Sequence, residues 1–318
     1  MPQIFNNALN EKVTARIPAS TTNLGPGFDV LGLALQLYST VTLELSDTAT
    51  EVVVSGVDAD KIPNTPEHIA FQAVELVFKR SGTKRPTGFK LRIDNGIPAI
   101  RGLGGSGTAI LGGLLTANVL CGLPFSDAEL LNFATEMEGH PDNVAASLYG
   151  GIVVSVQEDG HVHTIRLTCP LELSIVLAIP NFPLSTKQAR EVLPKSVDFS
   201  DAIYNTSRST LLIASIATGQ FEMLKVAMKD KLHEPYRTSL IPGFDDVAEA
   251  AIATGALSVA LSGAGPTVAA YCLEHTEQVA KQMQIAFNKH QIVCDIKILK
   301  ADADGADVQT GVPCWREK

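Results

Sequence analysis

Cysteine is sparse and poorly spaced for chemistry. Cys121, Cys169, Cys272, Cys294 and Cys314 are odd in number and never fall at a C-x-x-C interval, which argues against a disulfide framework or a zinc site. No long basic run occurs either. The formal charge is −9 and the sequence pI about 5.3, so the counterion-releasing footprint of a nucleic-acid binder is missing. The opening MPQIFNNALNEK has neither the charged nor the apolar region of a secretory signal, so a reducing, cytoplasmic setting is expected. Two stretches carry no charge, Gly102–Ser126 and Ala250–Leu273. The glycines and prolines within them suit buried helices and strands around loops, and no membrane span is expected. No internal repeat or low-complexity segment is present.

What remains is a chain of 318 residues, 45% apolar, long enough for two cores. The expected division is residues 1–165 and 166–318, within an α+β architecture. β-branched or alternating segments predict strands over Val13–Ala19, Thr40–Leu45, Glu51–Ser55 and Phe89–Ile93. His68–Arg80 has helical spacing and ends before Gly82. Thr108–Leu120 reads as a buried helix, and Ser126-x-x-Glu129 as a capping box opening another that runs to about Glu138. Gly151–Val156 and Val162–Leu167 read as a hairpin. In the second half, strands near Leu173–Ile179, Ser258–Leu261, Val268–Cys272 and Asp295–Leu299 alternate with helices near Lys187–Leu193, Ala202–Ala217, Phe221–Lys229, Asp245–Ala253 and Glu277–Lys289. That order suits an antiparallel sheet covered by helices on one face.

Two constellations carry chemistry. The first is Pro98-Ala-Ile-Arg101-Gly102-Leu103-Gly104-Gly105-Ser106-Gly107-Thr108. Its glycines precede a buried helix, so backbone N–H groups can converge on an anion at the helix N-terminus. Gly102, Gly104 and Gly107 satisfy G-x-G-x-x-G, but no strand runs straight into the first glycine, and Asp127 falls at a helix start rather than a strand end. A dinucleotide fold therefore fits poorly. No lysine follows the last glycine, which argues against a P-loop. The second is Glu136-Met-Glu138-Gly-His140-Pro-Asp142-Asn143, at a helix end and in the turn after it. A carboxylate here, with the Ser106 hydroxyl, could complete the oxygen shell of a phosphate-bound Mg²⁺.

With Thr22-Asn23-Leu-Gly-Pro-Gly-Phe-Asp29 and Leu261-Ser-Gly263-Ala-Gly-Pro-Thr267, the glycine loop makes a set of three motifs that resembles the GHMP kinases in order and spacing, over about residues 13 to 300. Four further segments are similar to the branch of that family that phosphorylates homoserine. They are Asn23–Asp29, Glu138–Ala145, Thr186-Lys-Gln-Ala-Arg190 before Leu193-Pro194, and His233-Glu-Pro-Tyr-Arg237. The phosphate loop departs from the usual G-L-G-S-S-A-A, with Gly105 in place of the first serine.

The resemblance implies an N-terminal nucleotide domain with a left-handed β-α-β unit and a C-terminal ferredoxin-like domain. It implies ATP and Mg²⁺ as cofactors, the metal at Ser106 and Glu138 with Glu136 as fallback, the nucleotide on Pro98 and Arg101–Thr108, and a homodimer. For an amino-acid acceptor, Arg190 and Arg237 would hold the carboxylate with His140 assisting. Asp29 would meet the ammonium, Thr186 and Gly263 would line the site, and Asn23 and Asn143 would orient the hydroxyl. Asp142 is expected to position rather than act as a base, because a loose phosphoryl-transfer transition state asks little of one. The competing readings are a kinase of another small alcohol, such as mevalonate or shikimate, and a non-catalytic ATP sensor.

Overall fold

The structure, a computed structural model, describes residues 12–168 and 172–311. Cys169 and Cys314 lie outside them. The chain opens with β1 (Lys12–Thr22), whose Val13, Ala15, Ile17 and Ala19 alternate into the core. It pairs antiparallel with β2 (Leu31–Ser46), and the register slips between Pro18 and Ala19, where proline offers no N–H to the ladder. β2 is longer than the expected Thr40–Leu45, because its first half is a largely buried run without a clean two-residue alternation.

β3 (Glu51–Gly56), α1 (Ile69–Ser81) and β4 (Gly88–Asn95) form a β-α-β unit with β3 and β4 parallel. α2 (Gly105–Leu120) is buried almost all round and crosses behind the sheet. α3 (Asp127–Glu138) starts at the capping box, with Ser126 accepting from the Glu129 N–H. α4 (Asp142–Tyr149) is a helix where the sequence suggested a turn; Gly139 and Pro141 conceal a start that leaves only eight residues. β5 (Ile152–Glu158) and β6 (His161–Leu167) are the expected hairpin, with β5 joined to β2. Ala70, Ala73, Ile110, Leu114, Leu130 and Val144 fill the space between these helices and the sheet.

The second sheet begins at β7 (Ser174–Pro180). α5 (Thr186–Glu191), α6 (Phe199–Thr218), α7 (Leu224–Ala227), α8 (Glu234–Arg237) and α9 (Phe244–Ala253) follow. β8 (Ser258–Leu261), β9 (Val268–Cys272), α10 (Thr276–Lys289) and β10 (Cys294–Lys300) complete it. The strands are antiparallel in the order β10-β7-β9-β8, the arrangement of a ferredoxin-like sheet. β11 (Asp307–Thr310) returns from the end of the chain to pair with β1, giving the first sheet the order β11-β1-β2-β4-β3. Leu31, Leu33, Leu35 and Leu103 pack with Leu173, Ile175 and Leu177 in a core shared by both sheets. This shared core fixes the two halves around one cleft. Among the described residues no helix is long and apolar enough to cross a membrane.

Candidate active site

Three loops meet at the cleft, and their backbones touch. In the first, between β1 and β2, Asn23, Leu24 and Asp29 all take positive φ, 68°, 48° and 58°. Three non-glycine residues in the left-handed region within seven positions store strain that needs outside support. Asn23 supplies part of it: its Nδ2 donates to the Gly263 carbonyl at 2.8 Å and its Oδ1 accepts the Asp29 N–H at 3.1 Å. Asn23 thereby fixes the loop with one Nδ2 N–H and its Oδ1, and it also lines the cleft.

The glycine loop is pressed against the third motif. A side chain at Gly102 would collide with the Ser262 carbonyl oxygen, and the Ser262 hydroxyl donates to the Gly102 carbonyl at 2.6 Å. Gly104, at φ 73°, caps α2 and passes so close to Ser20 that a Cβ would strike its Oγ. At Gly105 the space is open, with Ile97 alone near a Cβ at 3.9 Å. Among the described hydrogen bonds, the first amide of α2 paired with backbone is Thr108, to Gly104. The N–H groups of Gly105, Ser106 and Gly107 are left for an anion.

Arg101 stands at the edge of the cleft with its guanidinium engaged by backbone. Its guanidinium donates to the carbonyls of Pro180, Ala99 and Asn181 at 2.8, 2.8 and 3.0 Å, tying the loop to the end of β7. Pro98 is buried away from the cleft, and a Cβ at Gly107 would press on Val144 and Asn143. Arg101, Gly102, Leu103, Gly104, Gly105, Ser106 and Thr108 line the cleft.

Ser106 Oγ donates to Glu138 Oε1 at 2.6 Å. A hydroxyl and a carboxylate side by side at an open helix N-terminus are the hard oxygen donors that Mg²⁺ takes. Glu136, two residues earlier, instead pairs with Arg80 at 2.6 Å. Beyond Glu138, His140 Nδ1 meets Asp142 Oδ1 at 2.6 Å. Burial alone would pull the His140 pKa down, but the Asp142 hydrogen bond and the charges of Asp142, Glu138 and Asp29 outweigh it and raise it. Asp142 is almost fully buried and its Oδ1 also accepts the Asn143 N–H at 2.9 Å. Asn143 Oδ1 accepts from Ser20 Oγ at 3.0 Å, which leaves its amide N–H groups for the cleft.

At the far end Asp29 and Arg190 are paired, both carboxylate oxygens reaching Nη2 at 2.7 and 2.9 Å. Thr186 stands one helical turn before Arg190, at the start of α5, and also lines the cleft. Arg237 is 2% exposed. Its Nε donates to the Ala189 carbonyl at 3.1 Å and its Nη1 to that of Gly263 at 3.2 Å. No protein hydrogen bond of the described residues uses Nη2. Burial, then the neighbouring Arg190, push the Arg237 pKa down to about 10. Asp29, His140 and Asp142 also stand close enough to share a cation.

The cleft, about 520 Å³, continues past the glycine loop into an arm lined by Val41, Ile62, Pro63, His68, Ile93 and Ile97. None of these figured among the sequence candidates. The arm is held open by Asn95, whose Nδ2 donates to the carbonyls of Val57 and Ile97 at 2.6 and 2.9 Å while its Oδ1 accepts from Ser39 Oγ. His68 is the N-cap of α1, its Nδ1 accepting the Ala70 N–H at 3.0 Å; the neutral ring therefore carries its proton on Nε2. The cap position just before an apolar stripe was the available signal.

The halves of this cleft correspond to known sequence families. The GHMP kinases N terminal domain matches residues 68–151, and the GHMP kinases C terminal domain matches residues 212–289. The chain thus belongs to the GHMP kinases, and the fold is theirs. The homoserine kinase of Moorella thermoacetica is 44% identical over 293 residues, 92% of this chain and 98% of that one. That of Synechocystis is 42% identical over 299 residues, covering 93% and 97%. The crystal structure of homoserine kinase from Cytophaga hutchinsonii superposes with a TM-score of 0.84 at 30% identity, covering 94% of this chain and 97% of the other. Within the GHMP kinases, the chain belongs to the homoserine kinase family.

Proposed function

We propose that this protein transfers the γ-phosphoryl group of ATP to the side-chain hydroxyl of L-homoserine, giving O-phospho-L-homoserine for threonine biosynthesis. The observation that carries the reading is the order of groups along one cleft. An apolar arm leads to the open N-terminus of α2, then to Ser106 with Glu138, then to a pocket where Arg237, Arg190 and Asp29 converge. A nucleoside, its phosphates and a zwitterionic alcohol need those environments in that order.

The base lies in the arm, where His68 Nε2–H is a donor, and the phosphates lie on the amides of Gly105 to Gly107. Ser106 and Glu138 would hold Mg²⁺, which supplies neutralising charge to the phosphate oxygens. The Arg237 Nη2 edge and Arg190 bind the acceptor carboxylate; a buried guanidinium fork suits it. His140, whose pKa Asp142 raises, adds to that binding when protonated. The acceptor ammonium takes a share of Asp29, whose pairing with Arg190 in the structure prefigures an ammonium–carboxylate pair. The Asn143 amide orients the hydroxyl. Asp142, engaged by His140 and the Asn143 N–H, positions both and is not a base. Phosphoryl transfer then rests on alignment and charge. The reading includes a homodimer in the cytoplasm, and light scattering at assay concentration tests the assembly.

The decisive experiment follows ADP release from MgATP with L-homoserine, L-serine, L-threonine, mevalonate or no acceptor. Turnover dependent on L-homoserine is expected. ATP binding without turnover on any acceptor would replace this reading with a sensor.

A further inference from the structure

The His233–Arg237 segment gave Arg237 to the acceptor pocket and left His233 without a role. His233 is fully buried. Its Nε2 lies 2.7 Å from the Gly25 carbonyl oxygen, in the middle of the strained Asn23–Asp29 loop. Its Nδ1 lies 3.4 Å from Arg237 Nη1. Its ring stacks on Phe28 with centroids 5.0 Å apart, and the Arg237 guanidinium sits over the same Phe28 ring at 4.9 Å. A carbonyl oxygen can only accept and a guanidinium can only donate, so Nε2 carries the proton and Nδ1 does not. Both nitrogens are assigned by their neighbours, and the ring is neutral. Burial holds its pKa down against the pull of Asp230, whose Oδ2 is 3.8 Å from Nε2.

The ring's own placement is enforced from beneath. Asp230 Oδ2 accepts the backbone N–H groups of Leu232, His233 and Glu234 at 3.1, 2.8 and 2.7 Å. Asn205 donates to Asp230 Oδ1 at 2.6 Å. The loop in turn lies against this segment, since a side chain at Gly25 would strike the Met228 carbonyl. His233 therefore stands between the two elements that define the acceptor pocket, with one nitrogen on each.

We infer that His233 is a positioning residue of the acceptor site, a neutral spacer that aims Arg237 and sets the distance from it to the Asn23–Asp29 loop. Three acceptors fix the guanidinium: Ala189 carbonyl on Nε, and Gly263 carbonyl and His233 Nδ1 on Nη1. This leaves Nη2 as the edge turned to the ligand. A buried histidine that merely packed would not have one nitrogen on the clamp and the other on the loop. The inference rests on the assignment of this end of the cleft to the acceptor.

The test uses the full chain with three substitutions. His233→Phe keeps an aromatic ring on Phe28 but removes both hydrogen bonds. His233→Asn keeps an acceptor near the Nδ1 position, and His233→Gln a donor near Nε2. Steady-state constants for acceptor and MgATP are measured with the melting temperature. The expected result is an acceptor KM raised about 10-fold or more in His233→Phe, the scale of one hydrogen bond to a charged group. The MgATP KM should stay within about 2-fold, with partial recovery in His233→Asn. Equal rises in both KM values, or no rise in either, overturns the inference. Should His233→Phe fail to fold, His233→Asn and His233→Gln decide: wild-type acceptor KM in both overturns it, and a selective rise in either supports it. Loss of the functional reading shows separately, as wild-type protein that ignores L-homoserine; the same KM comparison is then made with the acceptor it does use.

Discussion

Replacing Arg237 by methionine should damage acceptor recognition while leaving the fold nearly untouched. The stability balance can be worked from its surroundings. Depressing a guanidinium pKa from 12.5 to about 10 means that holding it charged costs about 3 kcal/mol, at 1.36 kcal/mol per unit. Against this stand its hydrogen bonds to Ala189, Gly263 and His233, each contributing about 1 kcal/mol net. The two nearly cancel. Methionine fills much of the stem's volume, and the Gly263 carbonyl keeps Asn23 as a donor. The melting temperature should move by no more than about 5 °C. Recognition has no such compensation. A charge-assisted hydrogen bond from Nη2 to a carboxylate is worth about 1.5–3 kcal/mol, so kcat/KM for L-homoserine should fall about 10- to 150-fold. The MgATP KM should change less than about 3-fold. The assay is coupled ADP release with each substrate varied in turn, alongside thermal denaturation. Arg190, 38% exposed, should show a smaller selective effect when replaced by methionine. Equal losses toward both substrates, or a collapse of the melting temperature, would refute the clamp.

Ser106→Ala and Glu138→Gln should each raise the Mg²⁺ concentration needed for half-maximal rate, whereas Glu136→Gln should match wild type in a Mg²⁺ titration; a Glu136 effect as large as that of Glu138 would reverse the assignment. Gly105→Ser, which meets open space, should leave MgATP KM within about 2-fold of wild type, while Gly104→Ala, at positive φ and against Ser20, should cost about 1–3 kcal/mol in urea denaturation; similar behaviour of the two variants would sink the geometric argument. Burial raises the Glu234 pKa to about 8. Between its ordinary range and that value the folded chain keeps a proton that the unfolded chain loses, so stability falls as pH rises from about 4.5 to 8 and levels above. Glu234→Gln retains an acceptor for the Leu261 N–H and should flatten this slope, gaining a few °C on wild type at pH 8.5; parallel melting curves from pH 5 to 8.5 would contradict it.

Patterns confined to neighbouring residues were legible in the sequence. The Ser126–Glu129 capping box, the apolar stripe of α1 and the hairpin through Asp159-Gly160 depend on spacing within one or two turns, and the structure contains each. The glycine loop was also readable, because few uses other than close backbone approach explain its composition. That Glu136 and Glu138 face different ways was readable in principle, since two residues along a helix turn a side chain by about 200°. What spacing could not convey was which partner would claim a polar group. Arg101 lies beside the phosphate loop in sequence, yet its guanidinium is occupied by the carbonyls of Ala99, Pro180 and Asn181. Asn23 looked free to meet a hydroxyl and is engaged by Gly263, 240 residues away. The apolar arm was not legible because its lining comes from β2, β4, the segment before α1 and α1 itself, each contributing one or two ordinary apolar residues. β11 carries no mark of its destination, since a four-residue edge strand takes its place from the exposed backbone of β1.

That destination has a consequence for synthesis. Until Asp307–Thr310 leaves the ribosome, the outer edge of β1 presents unpaired N–H and C=O groups along Val13–Arg16. The first sheet therefore cannot finish folding first and wait. It must hold an open edge while the entire second sheet is made and packed, and only then receive its last strand. The period of greatest exposure to misassociation thus falls late in translation, and a chain that stops short of residue 307 would carry that open edge permanently.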